Sequence, residues 1–145
     1  MSIWQYMRQA MQTLFSWNIF NLMIGGWLAT RGKFWQGFAS QNIGWAVINL
    51  AIAIFASIST DRRIKKMPDP LDPAVTTKEK RNFQRILWIN TGLDLLYMLG
   101  GWRFAREQGR KDQRLRGVGY GIVLQGMLLF WFDLIQVLRL PRKVR

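Results

Sequence analysis

The sequence predicts an all-α fold: an integral membrane four-helix bundle made of two pseudo-repeated helical hairpins, each with an amphipathic lead-in. Three observations predict it. First, residues 9–30, 34–60, 86–102 and 117–138 hold only two charged residues, Asp94 and Asp133. Charged residues make up 20% of the chain, so roughly 18 would fall in those windows if they were spread evenly. Hydrocarbon enforces such segregation, because a charge at mid-span costs about 2.5–3.5 kcal/mol on insertion scales. Second, 21 Lys and Arg stand against 8 Asp and Glu, and they crowd the stretches between the windows, where anionic head groups would meet them. Third, the halves echo each other. Gly25-Gly26-Trp27 closes the first apolar run and Gly100-Gly101-Trp102 closes the third.

The chain is short enough for one domain, residues 1–145. Span one covers 14–30, after a lead-in in which Trp4, Met7, Met11 and Leu14 recur at three- and four-residue steps. Such a helix can lie at the membrane interface before turning in. Arg31-Gly32-Lys33 makes a short turn into span two, 34–59, whose second half from Trp45 to Ala56 carries one polar residue, Asn49. A soluble bundle would need a polar face on every turn there. The polar connector is 60–85. Met67-Pro-Asp-Pro-Leu-Asp-Pro cannot be helical, because its prolines remove donors and fix φ. Thr77-Lys-Glu-Lys resembles a helix start leading into span three, 86–102. At 1.5 Å per residue that span reaches about 26 Å, with Arg85 and Arg103 extending it by snorkelling. Gly109 marks the next turn. Span four, 117–138, ends at Pro141 before the basic tail Arg142-Lys143-Val144-Arg145.

Counting Lys and Arg sets the orientation. The N-terminal segment, the 60–85 connector and the tail hold 13, and the other two turns hold 8. Both termini are therefore expected in the cytoplasm. The N-terminal segment lacks the layout of a cleavable signal, so the first span is expected to act as the insertion signal. Trp27, Trp35 and Trp102 fit one interfacial belt and Trp4 and Trp88 the other, while Trp17, Trp45 and Trp131 lie deeper and are expected to pack in the core.

Absences narrow the chemistry. With no Cys and no His, the chain offers no thiol nucleophile, no thiolate or imidazole metal site and no Ser-His-Asp triad. No cofactor, no metal and no enzymatic activity are expected. The basic excess sits outside the apolar windows rather than interleaved with them, so no nucleic-acid partner is expected either.

The polar residues inside the windows are the candidate site. Asp94 is the ninth residue of span three, roughly 12 Å deep, and Asp133 lies roughly 8 Å from the exit of span four. Asn90 is one turn from Asp94. Asn18, Asn21 and Asn49 fall in the same half of the bilayer, and Gln41 and Gln125 form an outer pair. The two return spans each carry polar residues eight apart, Gln41 with Asn49 and Gln125 with Asp133. Amides and carboxyls in hydrocarbon must meet each other across helix interfaces. Two neighbouring acids cannot both ionise cheaply, and no span holds a Lys or Arg to neutralise them. A shared proton, a bound cation or a water-filled cavity resolves that.

Two functional readings follow. In the first, the bundle binds or transports a proton, a cation or a small amphipathic ligand through Asp94, Asp133, Asn90, Asn49, Asn21, Gln41 and Gln125. In the second, it is a non-catalytic accessory or lipid-interacting scaffold subunit of a larger membrane complex. The expected partners are membrane lipids, chiefly anionic ones, together with further copies of the chain or a larger assembly.

Overall fold

The structure, a computed structural model, describes residues 1–144; Arg145, the end of the expected basic tail, lies outside the described residues. Four long helices account for nearly all of it: α1 Ile3–Leu28, α2 Lys33–Lys66, α3 Pro73–Glu107 and α4 Gln113–Lys143. Each start has a local cause. Ser2 caps α1 in a reciprocal box with Gln5. Gly32, at φ 115°, lets the chain reverse into α2. Asp72 caps α3 through Ala74 and Val75, and Asp112 caps α4 through Arg114 and Leu115.

Three boundaries differ from expectation. The lead-in is no separate interfacial segment, because it continues α1 and packs into the bundle through Ile3, Tyr6 and Ala10. α3 starts at Pro73 rather than Thr77. A proline at the first helical position gives up an N–H that has no partner there anyway. α4 runs past Pro141, since only the last turn loses a bond and Val144 N–H still reaches the Leu140 carbonyl at 3.1 Å. Gly109 does lie in the α3–α4 turn.

α1 packs on α2, α3 packs on α4, and α2 and α4 join the two hairpins. The α2–α4 crossing rests on two reciprocal contacts. A Cβ at Gly37 would overlap the Arg114 carbonyl, and a Cβ at Gly117 would overlap the Phe34 carbonyl. Gly121 lies next in line, against Gln41 and the Phe38 carbonyl. Small residues of this kind let helix backbones touch. The backbones of α2 and α3 stay apart.

At the end of the bundle that carries both termini, α1, α3 and α4 converge on a hydrophobic cluster of Ile3, Trp4, Tyr6, Phe83, Leu87, Val137 and Leu140, and Ile64 of α2 packs against it. Trp4 is therefore not in an interfacial belt. It is buried, and its indole N–H donates to the Pro70 carbonyl at 2.8 Å, tying the proline loop to α1. Tyr6 O–H donates to the Gln136 carbonyl at 2.8 Å and meets Phe83 edge-on. Arg63 bridges α2 to α3 through Glu79, at 2.9 and 3.1 Å.

Further along the bundle the usual arrangement inverts. Buried positions include Asn18, Asn21, Asn42, Asn49, Thr91, Asp94, Gln125 and Asp133, whereas Met23, Phe55, Leu96 and Leu99 are more than 60% exposed. Trp17 and Trp131 also face outward, contrary to their expected depth in the interior. α2 and α4 are each long and apolar enough to cross a membrane, with mean hydropathy of 1.9 and 1.8 in their most apolar stretches.

Replacing Gly37 or Gly117 with Ala should destabilise the protein by about 1–3 kcal/mol through overpacking. Gly44→Ala, where nothing lies within 4 Å of the added carbon, should be neutral or gain up to about 1 kcal/mol from helix propensity. Thermal unfolding of the three variants in detergent checks both.

Candidate functional site

Helix spacing builds the polar interior. On α1, Leu14, Asn18, Asn21 and Gly25 are buried at steps of four, three and four, the stripe that faces the neighbouring helices. On α2, Ala39, Asn42, Ala46, Asn49 and Ala53 do the same. Where these stripes meet, Asn49 Nδ2 donates to Asn18 Oδ1 at 3.3 Å, and Asn18 Nδ2 donates to the Leu14 carbonyl at 2.7 Å.

A second set joins the hairpins. Asn21 Nδ2 donates to Gln125 Oε1 at 2.9 Å, and Gln125 Nε2 donates to Asn42 Oδ1 at 2.9 Å and to Asn21 Oδ1 at 3.4 Å. Gln125 is 1% exposed. It is the point at which α1, α2 and α4 share hydrogen bonds.

The third set is acidic. Asp94 on α3 is 3% exposed and Asp133 on α4 is 6% exposed, and the two carboxyls are close enough to act on each other. The meeting follows from helix geometry. Side chains lean toward the N-terminus of their own helix, and α3 and α4 are antiparallel, so the two carboxyls lean together. Asp94 Oδ2 is buried without a hydrogen-bond partner. Two ionised carboxyls so placed are costly together in a weakly polarisable interior.

Beside the acids, the gap between α2 and α3 forms a cleft of about 290 Å³. Leu14, Ile52, Phe55, Leu87 and Phe132 wall it, Asn90 and Asp133 reach it from within the bundle, and Arg8 and Arg63 border it at the termini end. Arg8 is paired with Asp61 at 2.7 Å and Arg63 with Glu79 at 2.9 Å.

Of the residues expected from sequence, Asn21 and Gln125 meet in one cluster, Asn49 joins Asn18 in another, Asp94 meets Asp133, and Asn90 lines the cleft. Gln41 stays half-buried against Gly121 at the helix crossing, outside the amide cluster. The amide that Gln125 meets on α2 is Asn42. Sequence reasoning missed it, although its seven-residue spacing from Asn49 places both on one helix face. The Arg63–Glu79 bridge was missed too, because both residues look like connector charges.

Residues 13–134 match DUF6992, a family of unknown function. The chain belongs to that family. No curated protein and no solved structure matches it. The DUF6992 match takes in every member of the three polar sets, from Asn18 to Asp133, and leaves out Ile3, Trp4, Tyr6, Val137 and Leu140 of the cluster at the termini end.

Gln125→Leu strands Asn21 and Asn42 and should lower unfolding stability by about 1–3 kcal/mol. Gln41→Leu should shift it by less than about 0.5 kcal/mol. Equal losses in thermal unfolding would remove Gln125 from its central place.

Proposed function

We propose that this member of DUF6992 is a multi-pass membrane protein whose interior binds or transports a small amphipathic ligand, with a proton or cation held by Asp94 and Asp133. The observation that carries the reading is the inverted distribution of polarity. Amides and carboxyls are buried while large apolar side chains on all four helices are exposed, for example Phe20, Ile48, Leu96 and Trp131. Water as the surrounding solvent would leave that apolar surface unpaired. Hydrocarbon both covers it and drives the amides inward.

The same argument extends the membrane reading from α2 and α4 to α1 and α3. Their mean hydropathy is diluted by Asn18, Asn21, Asn90 and Asp94, and of these Asn18, Asn21 and Asp94 are buried, while Met23, Leu93, Leu96 and Leu99 face outward. On this reading four spans cross the bilayer and both termini face the cytoplasm, as the balance of Lys and Arg favours. The reciprocal Gly37 and Gly117 contacts support a repeated hairpin. They align the return helices eighty residues apart, pairing Ala53 rather than Asn49 with Asp133.

The acid pair is the part of the interior with an unmet need. The amide clusters satisfy one another, which is how inter-helix glue behaves, but Asp94 Oδ2 has no donor. The amide glue and the basic helix ends favour a second reading, a non-catalytic accessory or lipid-interacting scaffold in a larger complex or a homo-oligomer. The cleft beside Asp133 favours the ligand-binding one. No group in the site supplies a nucleophile, so an enzyme is not proposed.

Two measurements test this. The protein should stay in the membrane fraction through an alkaline carbonate wash, and a folded, monodisperse sample in detergent-free buffer overturns the membrane reading. In nanodiscs at neutral pH, infrared spectra should show the carbonyl band of a protonated carboxyl in apolar surroundings, or elemental analysis should show about one bound cation per chain. Asp94→Asn with Asp133→Asn should abolish whichever is found. Neither signal in the unsubstituted protein rejects the acidic seat.

A further inference from the structure

The charged residues that line the cleft between α2 and α3 are Arg8, Arg63 and Asp133, and of these the acid is left unanswered. Arg8 pairs with Asp61 at 2.7 Å and Arg63 with Glu79 at 2.9 Å. Among the described residues no Lys or Arg pairs with Asp133 or Asp94. Hydrogen bonding leaves the same place unfilled. The side-chain bonds of the buried interior run between amides, or from an amide or hydroxyl to a helix carbonyl, and none of them ends on Asp133 or Asn90. Asp133 is more than nine-tenths buried, yet it reaches the cleft, as Asn90 does. Beside Asp133, Asp94 Oδ2 is buried without a donor as well. The apolar part of the cleft opens sideways. Ile52 and Phe55 of α2 and Ile86 of α3 line it and are each more than half exposed, while Leu14, Leu87 and Phe132 lie on its inner side.

We propose that the cleft seats a lipophilic amine, its ammonium N–H groups donating to Asp133 and Asn90 and its hydrocarbon body lying between Ile52, Phe55 and Ile86. The inference rests on the membrane reading and on the acid pair, and it names the amphipathic ligand: cation and ligand are one molecule. Charge decides the class. An anionic guest meets a carboxyl and no free cation. A neutral guest leaves that carboxyl unpaired where an unpaired charge is costly. An ammonium answers it with a charge-assisted hydrogen bond, roughly twice as strong as one between neutral groups, and has further N–H donors for the Asn90 amide oxygen. Size decides the body. A volume of about 290 Å³ holds about ten water-sized groups at roughly 30 Å³ each, and a longer tail extends through the lateral opening into the bilayer. Depth suits entry from the side. Asp133 precedes the exposed Arg139 by six residues, about 9 Å at 1.5 Å per residue, so an amine resting among the head groups sinks only that far. As the ammonium enters, the acids give up what they held. A carboxyl proton passes to bulk water, or an inorganic cation leaves, and the charge of the site is unchanged.

The test is equilibrium dialysis of radiolabelled octylammonium, 1-octanol and octanoate against the full chain in phosphatidylcholine nanodiscs at neutral pH, with uptake by empty nanodiscs subtracted. The three probes share one chain and differ in the charge of the head. Octylammonium should saturate at about one per chain, with an affinity about tenfold or more above that of octanol, and octanoate should show no saturable binding. Asp133→Asn should remove the advantage of the amine over octanol. Ala56→Phe, which fills the cleft wall, should weaken both. Circular dichroism unchanged in each variant excludes misfolding as the cause, and the comparison of the three probes on the unsubstituted chain decides even where a variant does not fold. Bound octylammonium should also diminish the infrared band of the protonated carboxyl or expel the inorganic cation. An acid pair that keeps its proton or inorganic cation while octylammonium is bound overturns this inference and leaves the earlier reading standing. Equal affinity for amine and octanol, saturable binding of octanoate, an advantage that survives in Asp133→Asn, or undiminished binding in a folded Ala56→Phe variant would each overturn it too.

Discussion

The contact of Gly37 with the Arg114 carbonyl, answered by Gly117 on the Phe34 carbonyl, sets the distance between the two hairpins, and the rest of the bundle follows from it. Backbones that touch at one end of α2 and α4 bring the buried faces of those helices together. Asn42 and Gln125 then come within 2.9 Å, and Gln125 can also reach Asn21 on α1. The same crossing leaves α3 on the far side of α4, away from α2. The cleft is what remains between helices that have no reason to approach. It is closed at its rim by a charged pair, Arg63 with Glu79, rather than by packing.

Two kinds of cohesion divide the bundle along its length. At the termini end the interior is apolar, with Ile3 and Leu140 fully buried, and is held by the burial that stabilises water-soluble domains. Toward the middle, small residues and amides replace it. There the helices expose apolar side chains outward and keep hydrogen bonds inside, so cohesion depends on close approach and on pairing every polar group. The acid pair breaks that pattern of satisfied partners. Among the described residues Asp94 Oδ2 is the buried side-chain acceptor without a donor, and on the proposed reading a proton, ion or ligand supplies what it lacks.

Legibility from sequence varied with the range of the cause. The turn at Arg31-Gly32-Lys33, the proline loop at 67–72 and the turn at Gly109 were readable because each follows from a residue's own backbone preferences. The lead-in and Trp4 were misread for the opposite reason. Their three- and four-residue spacing suits an interface and a bundle core equally, and only the convergence of Phe83, Val137 and Leu140 on that stretch selects the core. Trp17 and Trp131 were placed inside because of their depth in the windows, but depth along a helix says nothing about direction around it. Gln41 and Asn42 show the limit most sharply. Adjacent residues point about 100° apart on a helix, so whichever face the glycine crossing turns inward takes Asn42 with it and leaves Gln41 at the edge.

By itself the sequence determined that the chain would form helices broken at three polar turns, that apolar windows would dominate them, and that a few amides and two acids would have to find partners inside. Those are consequences of local backbone chemistry and of the cost of leaving a polar group unpaired. The tertiary structure alone decided which groups became partners, that α2 and α3 would stand apart, and that the termini end would close as an apolar cluster. Each of these depends on the rotation and separation of helices, and those are set by contacts between residues as far apart in the chain as Gly37 and Gly117.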